Sequence, residues 1–283
     1  MSKIKSSEGC YPPPTAQFRC VGILFFLFIH LVGLGGTPWY LSTHQATPAE
    51  WALFAVYFIF SSLSITVGYH RLFAHSTYKT NSFIRFLLLF FGASTFEQSA
   101  LKWASQHRQH HQFTDTDQDP YNINRGFWYA HIGWIMFWKH RVNYDNVKDL
   151  RESKLVMNQH RLYGPWSVFS GVAVPVLIGI FIGRPLGAFI MSVCLRLVLV
   201  MHSAFFINSY AHTFGNQPHH QSNSARNHWL GAILTNGEGY HNFHHRFPVD
   251  YRNGIRWYHW DPSKWLIFLL SKFHLAWDLR RSF

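Results

Sequence analysis

Three histidine clusters dominate this chain. They read His70-Arg71-Leu72-Phe73-Ala74-His75, His107-Arg108-Gln109-His110-His111 and His241-Asn242-Phe243-His244-His245. A fourth group, Asn208-Ser209-Tyr210-Ala211-His212, adds an amide and an imidazole four residues apart. On a helix, residues i, i+3 and i+4 share a face. His107, His110 and His111 are therefore expected to converge, as are His241, His244 and His245, and Asn208 with His212. His70 and His75 do not fit one turn, so the chain is expected to unwind between them. Nine imidazoles and one amide exceed what one metal takes, and two metals would share them. Imidazole suits iron, zinc, copper and nickel alike. A lone histidine is more often a hydrogen-bonded core or surface group. That plain reading covers the other eleven of the 20 histidines, His30, His44, His131 and His274 among them.

The elements that must position these clusters are apolar. A membrane-spanning helix needs about 20 mostly apolar residues. Four segments qualify, at about residues 20–41, 51–69, 165–182 and 185–207. The last is interrupted by Arg196, an intramembrane charge that reads as a functional candidate or as a side chain that snorkels or pairs with the polar part. A shorter run, residues 83–96, carries Arg85 and reads as an interfacial helix. The loop at 35–50 lacks Lys and Arg, and the loop before 185 holds only Arg184. The basic segments 70–164 and 208–283, with both termini, are therefore expected on the cytosolic side. The expected fold is all-α: four transmembrane helices under a cytosolic helical cap. Residues 1–19 form a polar N-terminal segment and residues 20–283 a single domain.

Composition agrees. Of 283 residues, 18% are aromatic and only 13% charged, which suits contact with lipid. The net charge of +12 suits anionic headgroups or an anionic substrate carrier. The basic residues are scattered and form no stripe, which argues against nucleic acid. Cys10, Cys20 and Cys194 show no CxxC spacing, so neither a disulfide framework nor a zinc ribbon is expected. No H-E-x-x-H occurs, and neither Glu97 nor Glu238 stands as a general base between two ligand histidines.

The strings HRLFAH, HRQHH and HNFHH resemble the three histidine boxes of the membrane fatty acid desaturase family. NSYAHTFG and GEGYHNFHHRFPVDYR resemble its acyl-CoA Δ9 (stearoyl-CoA type) branch, and the likeness runs over about residues 68–260. The resemblance implies a mushroom of four transmembrane helices whose cytosolic cap holds two irons. It implies iron ligation by His70, His75, His107, His110, His111, His212, His241, His244 and His245, with Asn208 reaching a metal through water. It implies O2 as co-substrate and a long-chain acyl thioester as substrate. Trp103 matches a bulky channel residue near the reacting carbons. Phe58 and Ser62, on one face of the second span, are candidates for the closed end of that channel. Where animal members read A-R-D-H-R, this chain has Ala104-Ser105-Gln106-His107-Arg108. That leaves an acyl-carrier-protein or glycerolipid substrate open beside coenzyme A.

Neither a G-x-G-x-x-G fingerprint nor a cytochrome b5-like segment is present, so a separate cytochrome b5 or ferredoxin-type donor is expected. Short termini favour a bacterial inner membrane, with the endoplasmic reticulum as the alternative. Two other readings are weighed. A related di-iron lipid hydroxylase would use similar clusters. A metal transporter would place its ligands near the bilayer midplane, whereas these clusters lie past the span ends.

Overall fold

The structure, a computed structural model, describes residues 15–139 and 142–283. Most of the polar N-terminal segment, with Cys10, lies outside the described residues. Among the described residues, four helices are long and apolar enough to cross a membrane: Cys20–His44, Pro48–Ala74, Tyr163–Phe181 and Pro185–His212. The chain is an integral membrane protein.

The second span starts earlier than hydropathy suggests because its end is well capped. Thr47 accepts the backbone N–H of Glu50, the Glu50 carboxylate accepts that of Thr47, and Pro48 occupies the first turn. The second and fourth spans also run further than their apolar runs, to Ala74 and His212, and so carry histidines out of the bundle. The second span ends in a π-helix, Ser64–Ala74, closed by a bond from the His75 N–H to the His70 carbonyl at 3.1 Å. The unwinding expected between His70 and His75 is therefore not what happens. The helix widens to an i→i+5 repeat, and that wider turn brings the two rings to 4.9 Å.

The first and third spans keep much of their apolar surface outward. Val21, Leu31, Phe169 and Phe181 are each more than half exposed. Gly33 lets the first span approach the fourth, since a Cβ there would sit 2.9 Å from the Leu195 nitrogen. The amphipathic helix Ser82–Ala93 is capped by Asn81 and buries Ile84, Leu88 and Leu89. It leaves Phe83 and Phe86 exposed. A second short apolar helix, Trp229–Leu234, exposes Trp229, Leu230, Ile233 and Leu234, and hydropathy over a 20-residue span misses it. Short antiparallel pairs tie the ends in: Lys79–Thr80 with Ala276–Trp277, and Thr15–Ala16 with Trp138–Lys139.

Arg196 neither snorkels nor pairs with a carboxylate. It is fully buried. Its guanidinium donates to the Ser192 carbonyl at 2.8 Å, the Ser94 carbonyl at 2.8 Å, the Gly171 carbonyl at 2.9 Å and the Ser61 hydroxyl at 3.3 Å. One side chain thus joins the second, third and fourth spans to the end of the amphipathic helix. Arg196→Met is expected to lower the melting temperature in detergent, because each buried acceptor left unmet costs about 1–3 kcal/mol. Arg196→Lys should recover only part of the loss, since an ammonium lacks the planar fork.

Candidate metal centre

Four elements bring histidines together where the second and fourth spans emerge. The π-helical turn supplies His70 and His75. The helix Ala100–Phe113, capped by Ser99, supplies His107, His110 and His111. His212 closes the fourth span, and the short helix His241–Arg246 supplies His241, His244 and His245. The nine rings form two nests. His70, His75, His107, His111 and His244 make one, and His110, His212, His241 and His245 the other; within each, one nitrogen per ring lies within 4.8 Å of all the rest.

The partition refines the helical argument. His107, His110 and His111 share a face, but only the i, i+4 pair His107/His111 enters the first nest, while His110 turns to the second. The third cluster mirrors this: His241 and His245 enter the second nest and His244 the first.

Adjacent rings confront each other through Nε2. The separations are 2.8 Å for His75–His107, 2.9 Å for His111–His244, 3.0 Å for His70–His244 and 3.1 Å for His107–His111. In the second nest they are 3.1 Å for His212–His241 and His241–His245, and 3.2 Å for His110–His245. Nδ1 is already engaged in four of the rings, that of His245 lying 3.3 Å from the Asn223 amide nitrogen. His70 Nδ1 lies 2.9 Å from Glu238 Oε2, His110 Nδ1 is 2.8 Å from Asp119 Oδ1, and His212 Nδ1 is 2.7 Å from the Ser224 hydroxyl. A carboxylate can only accept, so the proton of neutral His70 and His110 sits on Nδ1 and their Nε2 lone pairs face inward. Lone pairs gathered in this way need a cation. Protonation is the wrong one: burial, reinforced by neighbouring imidazoles, holds His75, His107, His111, His241, His244 and His245 well below the usual histidine pKa. A first-row metal about 2.1 Å from each nitrogen sets adjacent ligands about 3.0 Å apart at right angles, which is the spacing found. The residues fit two such ions.

The same burial predicts a pH response in the metal-free protein. Unfolded histidine takes up a proton near pH ~6.5, whereas the folded rings resist it. Below that pH the unfolded chain binds more protons through these histidines, so their contribution makes stability fall as pH drops through ~6.5. Thermal melts of metal-stripped protein from pH 8 to pH 5 check this, and a melting temperature independent of pH would contradict it.

Carboxylates complete the site. Glu238 is fully buried and also accepts from Arg71 Nη2 at 3.0 Å. Arg71 further pairs with Asp261 at 2.9 Å. Burial opposes the Glu238 carboxylate, but His70 and Arg71 outweigh it and hold its pKa below the usual range. In the sequence Glu238 is marked only as an acid outside any H-E-x-x-H motif. Its position three residues before His241 was the available signal. Asp119, Ser224 and Asp115, whose carboxylate accepts from the Ser224 hydroxyl and N–H, lie in loops with no periodicity to mark them.

Beneath the first nest lies a narrow cavity walled by His70, Trp103, His107, Phe205, Asn208 and Glu97 among others. Trp103 stacks on His107 at 4.9 Å. Asn208 faces this cavity four residues before His212. Ser62 lines a smaller space that shares Ile65, Thr66, Ala204 and Ile207 with the first. Phe58 stacks on Phe54 at 6.0 Å and is not among the residues lining either space. On the other side, an open groove walled by Arg19, Phe25 and Lys102 shares Gln98, Ile135 and Phe205 with the cavity. Ser105 and Gln106 do not face that groove: both are buried, and the Ser105 hydroxyl donates to the Asn143 carbonyl at 2.8 Å.

Four apolar spans bearing two histidine nests over an apolar cavity define a membrane-embedded protein with a site able to hold metal ions. Comparison with known proteins then places it. The fatty acid desaturase family model matches residues 46–274, and the chain belongs to that family. It is 42% identical over 265 residues to a probable acyl-CoA desaturase of Schizosaccharomyces pombe, covering 92% of this chain and 54% of that protein. It is 38% identical over 264 residues to acyl-CoA desaturase 1 of Saccharomyces cerevisiae, covering 90% of this chain and 52% of that one. With mouse stearoyl-CoA desaturase 2 it shares 33% identity over 287 residues, covering 98% and 78%. The chain thus spans about half the length of the two yeast relatives.

Proposed function

We propose that this chain is an O2-dependent fatty acyl desaturase that inserts a cis double bond, at Δ9, into a saturated acyl-CoA. The observation that carries the reading is the nine-histidine double nest set directly over a narrow apolar cavity. The acyl-CoA desaturase names of its relatives support the substrate class. Bound in the nests, two irons would supply the oxidising power toward O2 that no side chain possesses. Asn208 would reach one of them through water.

The chain's own residues do the rest. Glu238 and Asp119 keep the protons of His70 and His110 on Nδ1 and fix the ring planes. Trp103, Ile65 and Phe205 hold the alkyl chain and exclude water, and the space beside Ser62 receives its far end. The open groove admits the substrate, with Arg19 and Lys102 at hand for the phosphates of the carrier. Electrons come from a separate one-electron donor of the cytochrome b5 or ferredoxin class, for which the basic cap is a steering surface. The cap and both termini face the cytosol. The relatives compared are fungal and mammalian, and fractionation of the native host separates the endoplasmic reticulum from a bacterial inner membrane.

The test is expression in a desaturase-deficient host with gas chromatography of total fatty acids. The expected result is a new cis-Δ9 monounsaturated acid. No new unsaturation from iron-loaded protein supplied with a donor, or a hydroxylated product, would overturn the reading.

A further inference from the structure

The reaction proposed above consumes protons: R–CH2–CH2–R + O2 + 2 e− + 2 H+ gives R–CH=CH–R + 2 H2O, with the electrons from the external one-electron donor. The cavity beneath the nests is walled mainly by apolar side chains and has two carboxyl groups in its wall. Glu238 has both oxygens committed to His70, Arg71 and Asn253. Glu97 does not. Its residue is 6% exposed, and Oε1 has no hydrogen-bond partner among the described residues. The segment that presents it is distorted: Phe96 and Gln98, on either side, hold φ of 58° and 83°, a left-handed conformation that bulky residues adopt only under constraint. The Gln98 N–H donates to the Tyr163 hydroxyl at 2.9 Å and fixes that turn. Gln98 also walls both the cavity and the open groove, so Glu97 stands beside their junction, where water can reach it between turnovers.

We propose that Glu97 is the acid that delivers protons to the oxygen being reduced. The Glu97 O–H bond breaks, its proton goes to the reduced oxygen on the way to water, and the carboxylate left behind is reprotonated from water in the groove. The inference rests on the desaturase reading. The surroundings keep the acid loaded. Tyr69, Tyr121 and Tyr163 sense it from the second span, the loop after His111 and the third span, and His70, His107 and Glu238 share its cavity wall. Burial raises its pKa to about 8, against a smaller opposing pull from the Trp103 side chain. An acid works best with a pKa near the operating pH.

The experiment begins with infrared spectra of metal-free protein. A protonated-carboxyl C=O band is expected at pH 7, titrating away near pH 8, and absent from Glu97→Gln. In the iron-loaded enzyme, Glu97→Gln is expected to cut kcat about 100-fold or more, with KM and iron content within about twofold of wild type. A wild-type decline in rate at alkaline pH is expected, and it should vanish in the variant. An active wild type without that band, or a Glu97→Gln enzyme with wild-type kcat and pH profile, overturns the proposal alone. A wild type that makes no unsaturated product instead overturns the desaturase reading beneath it.

Discussion

His107→Ala is expected to abolish the proposed desaturation and to leave the first nest unable to retain an ion. His107 meets two partners in that nest, His75 at 2.8 Å and His111 at 3.1 Å, so its removal opens the ring of nitrogens at its centre. Loss of an outer-shell partner alone costs about 10–100-fold in metal affinity or activity, and loss of a ligand should exceed the top of that range. Iron analysis should fall from two ions per chain to about one, because the second nest shares no ligand with the first. Two ions and full activity in the variant would remove His107 from the ligand set. His274→Ala is the matched control, an exposed histidine outside both nests, and should leave iron and rate unchanged.

Glu238→Ala is expected to damage fold and site together. Its carboxylate meets His70 at 2.9 Å and Arg71 at 3.0 Å in a place without solvent. Breaking a buried pair by deleting one partner costs about 3–5 kcal/mol, because the other charge stays behind. Asp261 still reaches Arg71 at 2.9 Å, which should hold the loss toward the lower end of that range. His70 would lose the acceptor that keeps its proton on Nδ1, and metal affinity should drop about 10–100-fold. Glu238→Gln retains the shape and one acceptor oxygen, so it should fall between wild type and alanine in both melting temperature and iron retention. Equal melting temperatures for wild type and Glu238→Ala would contradict the account.

Much of this was legible in the residues. The four spans follow from apolar length, and the nine histidines from helical spacing at the span ends. What was hidden depends on partners distant in sequence. His107, His110 and His111 look like one ligand face, and only the opposing helix His241–Arg246 sorts them between two nests. Arg196 reads as a functional candidate or a snorkelling or pairing side chain, since its actual partners are carbonyls and hydroxyls near residues 61, 94 and 171, which carry no sequence signature. Asp119 reaches His110 from an irregular loop. Glu97 looked like an acid with no place in a metal motif, because its role depends on a cavity wall assembled from separate elements.

The π-helical end of the second span has a consequence for the spacing itself. Two histidines five residues apart are out of phase on an ordinary helix, and the wide turn works as a phase adjuster that admits one extra residue per repeat. The distance between His70 and His75 is therefore a gauge of helix type as well as a ligand motif. Deleting one residue between them, at Leu72 or Phe73, would restore ordinary helical pitch and keep both imidazoles on one face. It would also rotate and retract everything that follows, pulling the Lys79–Thr80 pairing with Ala276–Trp277 out of register.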